Sequence, residues 1–391
     1  MFRNSFLLFW LIACSGFVIS GSAQFRLTNA EADKIAPLFD STSPSSLKCH
    51  IIPVTPELDF DFRFVTGYFV HCRLSLFEGR ESILNTYLKV TPKGKSPVVL
   101  GAIYHLPQIS SEMLSAVGGD VRKLKNEVGT SGAFWVGPGE YSVEILMKDD
   151  RSRTCRQKWR LRAGTTRSER DVQLAIQPLA VEGIDQKSWN ITNSRDAGHL
   201  RLTILLDAAP INPYQSRLRA WDRAFLLECL YSVLRQTPHS SVRLIAFNLD
   251  QQREVFRTEE FGTSGFLSLS RALEDIETAS ISVEALKQRN SPQLLANLAN
   301  RELAEAEPPD TIIFLGANSP LDVDVGPGLL TAKKADSPPF FYFEYTSWPG
   351  APFPDVIQRL TKVANGKTYL IHSPAQLDQA IQKMLAQLNE R

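Results

Sequence analysis

The sequence predicts two domains: an all-β sandwich, then an α/β domain with a doubly wound, mostly parallel sheet. Three observations predict this. Between residues 47 and 163, apolar and polar residues alternate with a period of two, as in strands with one buried face. From residue 200, wholly apolar runs alternate with amphipathic segments, the pattern of a parallel sheet covered on both faces. The length, 391 residues, accommodates two domains of ordinary size.

The first segment, residues 1–23, reads as a leader rather than part of a fold. Arg3 precedes an apolar stretch from about Phe6 to Ile19, and Gly21 and Ala23 supply the small residues of a secretory cleavage site. A competing reading takes Leu11-Ile12-Ala13-Cys14 as a lipobox, which would make Cys14 a lipidated mature N-terminus. Either way the chain is expected outside the cytoplasm: secreted or periplasmic, or anchored as a lipoprotein. No other apolar run approaches the roughly 20 residues of a membrane span. The net charge of +1 gives no bulk argument for nucleic acid as a partner.

Residues 24–46, with STSPSS, read as a linker or loosely ordered arm. The sandwich follows over 47–163. In GYFVHCRLSLF, Tyr68, Val70, Cys72, Leu74 and Leu76 share one face, and His71, Arg73 and Ser75 the other. ISSEMLSAVGGDVRKLKN reads as a helical insertion between strands. In the last strand Cys155, Trp159 and Leu161 face one way, and Arg156, Lys158, Arg160 and Arg162 the other. That basic face reads as solvated charge that discourages edge-to-edge pairing, with acidic polymer binding as the competing reading. Cys49, Cys72 and Cys155 all point inward, which allows one disulfide and one leftover thiol without choosing the pair. The architecture resembles immunoglobulin-like folds. Residues 164–198 read as a connector carrying one extra strand in VQLAIQPLAV.

The second domain spans 199–391. RLTILLD, VRLIAFNL, DTIIFLG, FFYFEY and KTYLIH read as buried strands, with a short edge strand at REVF. Helices are expected over YQSRLRAWDRAFLLECLYSVLRQ, stopping before Pro238, and around 266–277, 291–306, 354–364 and 374–389. The last opens with Ser373 as cap, Pro374 at the first position and Gln376 three residues on.

The order of these elements, and the aspartate ending RLTILLD, resemble a von Willebrand factor type A domain, particularly its divergent acidobacterial relatives. The resemblance covers about residues 197–391. Metal-binding members of that family carry Asp-x-Ser-x-Ser after the first strand, a later threonine, and an aspartate after the fourth strand. In this sequence Asp207 takes the first position, while Ala209 and Ile211 stand where the serines belong. Ser291 falls near the threonine position, although its place before Pro292 also suits a helix cap. Gly316 falls at the aspartate position, with Asn318, Asp322 and Asp324 nearby but out of register. The resemblance therefore implies a degenerate metal-ion-dependent adhesion site. No metal or cofactor is expected. A residual Mg²⁺ would rest on Asp207 and Ser291, or on a rebuilt site that adds Asp322 or Asp324. The competing role for Asp207 is to cap backbone at the sheet's carboxyl edge.

Enzyme motifs are missing from the sequence. There is no G-x-S-x-G elbow, P-loop, strand-following G-x-G-x-x-G or H-E-x-x-H pair. Cys229, in LLECLY, reads as a core residue. The aromatic and proline-rich stretch FFYFEYTSWPGAPFPD suggests a strand followed by a loop that exposes Trp348 and Phe353. These readings combine into an expectation: a non-enzymatic, exported bacterial protein that binds an unidentified protein partner. The expected contact surface is Asp207, Asn212, Ser291, Asn318, Trp348 and Phe353. Metal-dependent adhesion and an unrecognised envelope hydrolase are the alternatives.

Overall fold

A computed structural model describes residues 17–18, 24–41, 46–78, 80–184, 189, 199–212, 215, 217–274, 276, 291–319, 325–334, 336–346 and 355–390. The chain divides into two units. The first comprises Met1–Asp59, Arg63–Thr166 and Leu174–Ser188; the second comprises Phe60–Phe62, Arg167–Gln173 and Trp189–Arg391.

The first unit contains two sheets. One runs β1 (Phe17–Val18), β7 (Glu127–Val136), β4 (Phe64–Arg73), β3 (Cys49–Leu58), with β10 (Val181–Gly183) also paired to β7. The other runs β2 (Phe25–Arg26), β6 (Val98–Leu106), β5 (Ser82–Pro92), β8 (Gly139–Asp149), β9 (Thr154–Ala163). Every pairing is antiparallel except the two-residue contact of β1 with β7. The alternation follows from burial. Tyr68, Val70 and Cys72 of β4 are buried, while Phe69 and His71 between them are half-exposed. The buried tyrosines are hydrogen-bonded: Gln24 Nε2 donates to Tyr68 Oη (2.6 Å), and Tyr104 Oη donates to the Ser131 carbonyl (2.9 Å). Glycine is required at 132, because a Cβ there would stand 2.6 Å from Tyr68 Oη.

A disulfide joins Cys49 of β3 to Cys155 of β9 across the two sheets (Cα–Cα 6.2 Å). It leaves Cys72, which faces Cys49 in the β3–β4 pairing, as a buried thiol.

Three local readings need correction. Residues 24–46, expected as a linker, contain β2 and a helix, α1 (Asn29–Asp40), started by a capping box between Thr28 and Glu31. Phe39 of α1 is buried, with Lys89 Nζ 5.5 Å from its ring centre. The apolar run VQLAIQPLAV forms no strand until Val181; Val172 and Ile176 are buried from irregular backbone instead. The helical insertion shrinks to α2 (Ser111–Ala116) and one 3₁₀ turn, as the glycine pair Gly118-Gly119, both at positive φ, ends it. Of the expected leader, only Phe17–Val18 are described; Cys14 and Ala23 lie outside the described residues.

The second unit is built on one six-stranded sheet. Its order is β13 (Arg253–Thr258), β12 (His239–Asn248), β11 (Leu200–Asp207), β14 (Thr311–Ala317), β15 (Phe340–Tyr345), β16 (Lys367–Ile371). β14 and β15 are buried at every residue. α3 (Ala220–Gln236), α4 (Gly265–Ala272), α5 (Ser291–Leu303), α6 (Val356–Val363) and α7 (Pro374–Asn389) complete the unit. Leu295 and Leu298 of α5 and Ile357 and Leu360 of α6 share one core with Leu205, Phe247, Phe314 and Tyr342.

The expected fold class is corrected here. The sheet is mixed: β13 runs antiparallel to β12. Only the four residues 249–252 separate them, far fewer than the dozen or so that a parallel crossover needs. With the two sheets of the first unit, the chain is mostly β: two antiparallel sheets and one mixed sheet. The doubly wound α/β fold of the von Willebrand type A kind is therefore not the class of this chain.

Candidate functional site at a sheet edge

Four of the expected contact residues are described, and all stand toward the carboxyl ends of the mixed sheet's strands. Asp207 ends β11. It is fully buried, and neither carboxyl oxygen has a hydrogen-bond partner among the described residues. The expected capping role is thus not what the geometry gives. Asn318 follows β14, and its Nδ2 donates to Glu344 Oε1 (2.8 Å). Ser291 is the first residue of α5, and its hydroxyl donates to the Leu249 carbonyl (3.4 Å) after β12. Asn212 lies in the loop after β11, where its carbonyl accepts from Gln215 N (3.0 Å). Trp348, Phe353, Asp322 and Asp324 lie outside the described residues.

The edge also contains acids that motif reasoning missed. Asp355 caps α6 through Oδ1, which accepts from Ile357 N (2.6 Å) and Gln358 N (3.2 Å). Its Oδ2 accepts from Ser319 N (2.9 Å), and the Tyr342 hydroxyl lies 3.0 Å away. Glu344 projects from β15, and its Oε2 has no partner among the described residues. Asp222 of α3 accepts from Ile211 N (3.2 Å) and Arg219 N (3.0 Å), closing the loop after β11 at both ends. Two signals in the sequence pointed to these groups: a lone acid inside the apolar run FFYFEY, and an aspartate directly before the helix at Val356.

Burial sets the charge here. Desolvation, then the nearby Asp355 and Asp250, holds the Asp207 carboxyl well above its ordinary range. Desolvation also raises Asp355, against four hydrogen bonds that favour its charged form. Glu344 is pushed up to about 7 by burial and by Asp355, with the Asn318 hydrogen bond opposing. Burial thus disfavours the charged form of all three acids, where a cation site needs charge.

The described residues do not supply the ligand set of a divalent ion. Mg²⁺ takes a near-octahedral set of oxygens. Ala209 and Ile211 offer no side-chain oxygen, and Gly316 has no room for a carboxylate, since a Cβ there would meet Asp207 Cβ at 2.6 Å. Asp355 is occupied by its donors. Among the described residues no group of three His, Cys, Asp or Glu side chains is placed to hold a metal.

No family model matches the chain, and no curated protein matches it. Among solved structures it is similar to a β-glucuronidase of Bacteroides uniformis, at TM-score 0.19 and 9% identity, over 81% of this chain and 38% of that one. It is also similar to a lipoprotein from Bacteroides thetaiotaomicron solved by NMR, at TM-score 0.14 and 9% identity, over 35% of this chain and 97% of that one. The chain thus spans well under half of the glucuronidase. Similarity this low carries no argument about fold or activity.

Proposed function

We propose that the chain is an exported, non-enzymatic protein-binding protein of the cell envelope or extracellular space. It engages its partner with the loops at the carboxyl edge of the mixed sheet. One observation carries the reading. β11 and β14 are neighbours, and the next strand after each lies on the opposite side of the pair: β12 beyond β11, β15 beyond β14. Ligands of open sheets bind outside the carboxyl ends of parallel strands at such a divergence. Asp207 and Asn318 flank it. Export is supported by the leader-like segment and by the Cys49–Cys155 disulfide, a bond that persists in oxidising compartments. No helix among the described residues is long and apolar enough to cross a membrane.

A photocrosslinking residue at Asn212 tests the surface, with one at Lys367, at the amino end of β16, as control. The expected result is one reproducible crosslinked protein from the envelope or culture fluid, absent with the Lys367 probe and absent when Asn318 is changed to Arg. Equal capture from both positions, or none from Asn212, sinks the reading. Mass spectrometry of the mature N-terminus decides between cleavage after Ala23 and lipidation at Cys14.

A further inference from the structure

In the first unit, β9 ends its sheet: β8 pairs along one side, and no strand among the described residues pairs along the other. Thr154 shows which backbone groups face the open side. Its N–H donates to Ser46 Oγ (3.0 Å) and its carbonyl accepts from Leu47 N (2.9 Å), both away from β8. A strand repeats every two residues, so the N–H and carbonyl groups of Arg156, Lys158, Arg160 and Arg162 face the same open side. None of Lys158, Arg160 and Arg162 has a backbone partner there among the described residues.

The same residues carry the charge. Lys158, Arg160 and Arg162 are exposed on the outward face of the sheet. Lys158 has Glu144 at 3.9 Å, while Arg160 and Arg162 make no ion pair among the described residues. Glu140, across from Arg162, is already paired with Lys93 at 2.9 Å. Cations in this position repel a second copy of β9, which protects the edge from self-pairing. The same charges attract a strand of opposite sign, because side chains directly across a pair of strands touch. The intervening residues of β9 are Gln157, Trp159 and Leu161; Leu161 is buried, and the Trp159 indole N–H has no acceptor among the described residues.

We propose that the open side of β9 takes an extended partner segment with Asp or Glu at every second residue and apolar residues between, added as a sixth strand. Main-chain hydrogen bonds hold the segment, and its alternate acids meet Lys158, Arg160 and Arg162. This surface is independent of the sheet edge in the second unit.

The test uses the full chain and a fluorescein-labelled Glu-Val-Glu-Val-Glu-Val-Glu peptide, read by anisotropy. Saturable binding is expected. Arg160→Glu and Arg162→Glu should each weaken it by about tenfold, as an attractive pair becomes a repulsive one. Circular dichroism checks that these surface variants fold, and Arg160→Gln should give a smaller loss. N-methylation of alternate amides along one edge of the peptide should abolish binding, and along the other edge should not. Equal binding of both N-methylated peptides, or equal binding of a peptide with its acids in one block, overturns the proposal in favour of a general polyanion patch. So does equally tight binding of oligogalacturonate. Concentration-dependent dimers through β9, or no peptide binding at millimolar concentration, also overturn it.

Discussion

Glu344→Gln separates a neutral acid from a charged one at the sheet edge. Glu344 is fully buried, and Asn318 donates to its Oε1. Its pKa lies near 7 against an ordinary 4.5, through burial first and Asp355 second. The folded state therefore holds this proton more tightly than the unfolded chain does. The stabilisation is complete below about pH 4.5 and is lost as the pH rises through about 7. At 1.36 kcal/mol per unit, the loss by about pH 8 is about 3 kcal/mol, less whatever Asp355 absorbs by sharing the proton. Glutamine keeps an oxygen for Asn318 and cannot ionise. The variant should match the parent near pH 5 and exceed it by about 2–3 kcal/mol near pH 8. Urea unfolding of the full chain at both values, followed by fluorescence and far-UV circular dichroism, measures this. The same difference at both pH values would refute the reasoning, because an uncharged packing effect has no pH dependence.

Three further predictions rest on buried groups. Glu302 of α5 is fully buried and accepts from Arg243 Nη1 (2.8 Å) and Arg257 Nη1 (2.9 Å), with Thr203 Oγ1 at 3.3 Å. Glu302→Gln removes the shared carboxylate but leaves Arg243 with Glu259 and Arg257 with Glu254, so it should cost about 1.5–3 kcal/mol in urea unfolding; a loss under about 0.5 kcal/mol would mean that the remaining acids carry the arginines. The Cys49–Cys155 bridge closes a loop of 106 residues, so replacing both cysteines with alanine should cost about 4–5 kcal/mol. In native protein neither Cys72, whose thiol burial pushes up to about 12, nor buried Cys229 should react with iodoacetamide; labelling of Cys72 before unfolding would contradict its burial.

What was legible in the sequence was local. The alternation around Tyr68–Cys72 marked β4 because one face is buried, and RLTILLD marked β11 because both faces are. α7 was legible through Ser373, whose Oγ accepts from Gln376 N (3.4 Å). Pairing was legible only in part: β11 with β12 and β14, β14 with β15, and β15 with β16 are parallel, the direction that apolar runs separated by helices imply. The direction of β13 depends on a four-residue turn, and the class assignment built on apolar runs gave that turn too little weight. The disulfide partner of Cys155 depended on which strands end together, which no spacing encodes. α1 was hidden because STSPSS coloured the whole segment as a linker, while the capping box at Thr28 lay in plain view. The candidate site was legible at Asp207, because its strand announces it. Asp355 and Glu344 escaped because no motif contains them; their importance lies in what they touch.

These contacts change which residue organises the edge. Asp207 stands out in the sequence, yet its oxygens have no hydrogen-bond partner among the described residues, and Gly316 is pressed against it. A charged carboxylate in that place would be costly, so protonation is the form burial favours. Asp355 does the joining. It ties the residue after Asn318, the Tyr342 hydroxyl on β15 and the first turn of α6 into one point. Asn318 adds a bridge from β14 to Glu344. Removing Asp355 would release three elements at once, whereas an isosteric Asp207→Asn would keep the packing against Gly316 and remove only an acid whose charged form burial disfavours. The described part of the edge is thus joined through the side chains of Asp355 and Asn318. Position in the packing, more than charge, is then what Asp207 contributes to this edge.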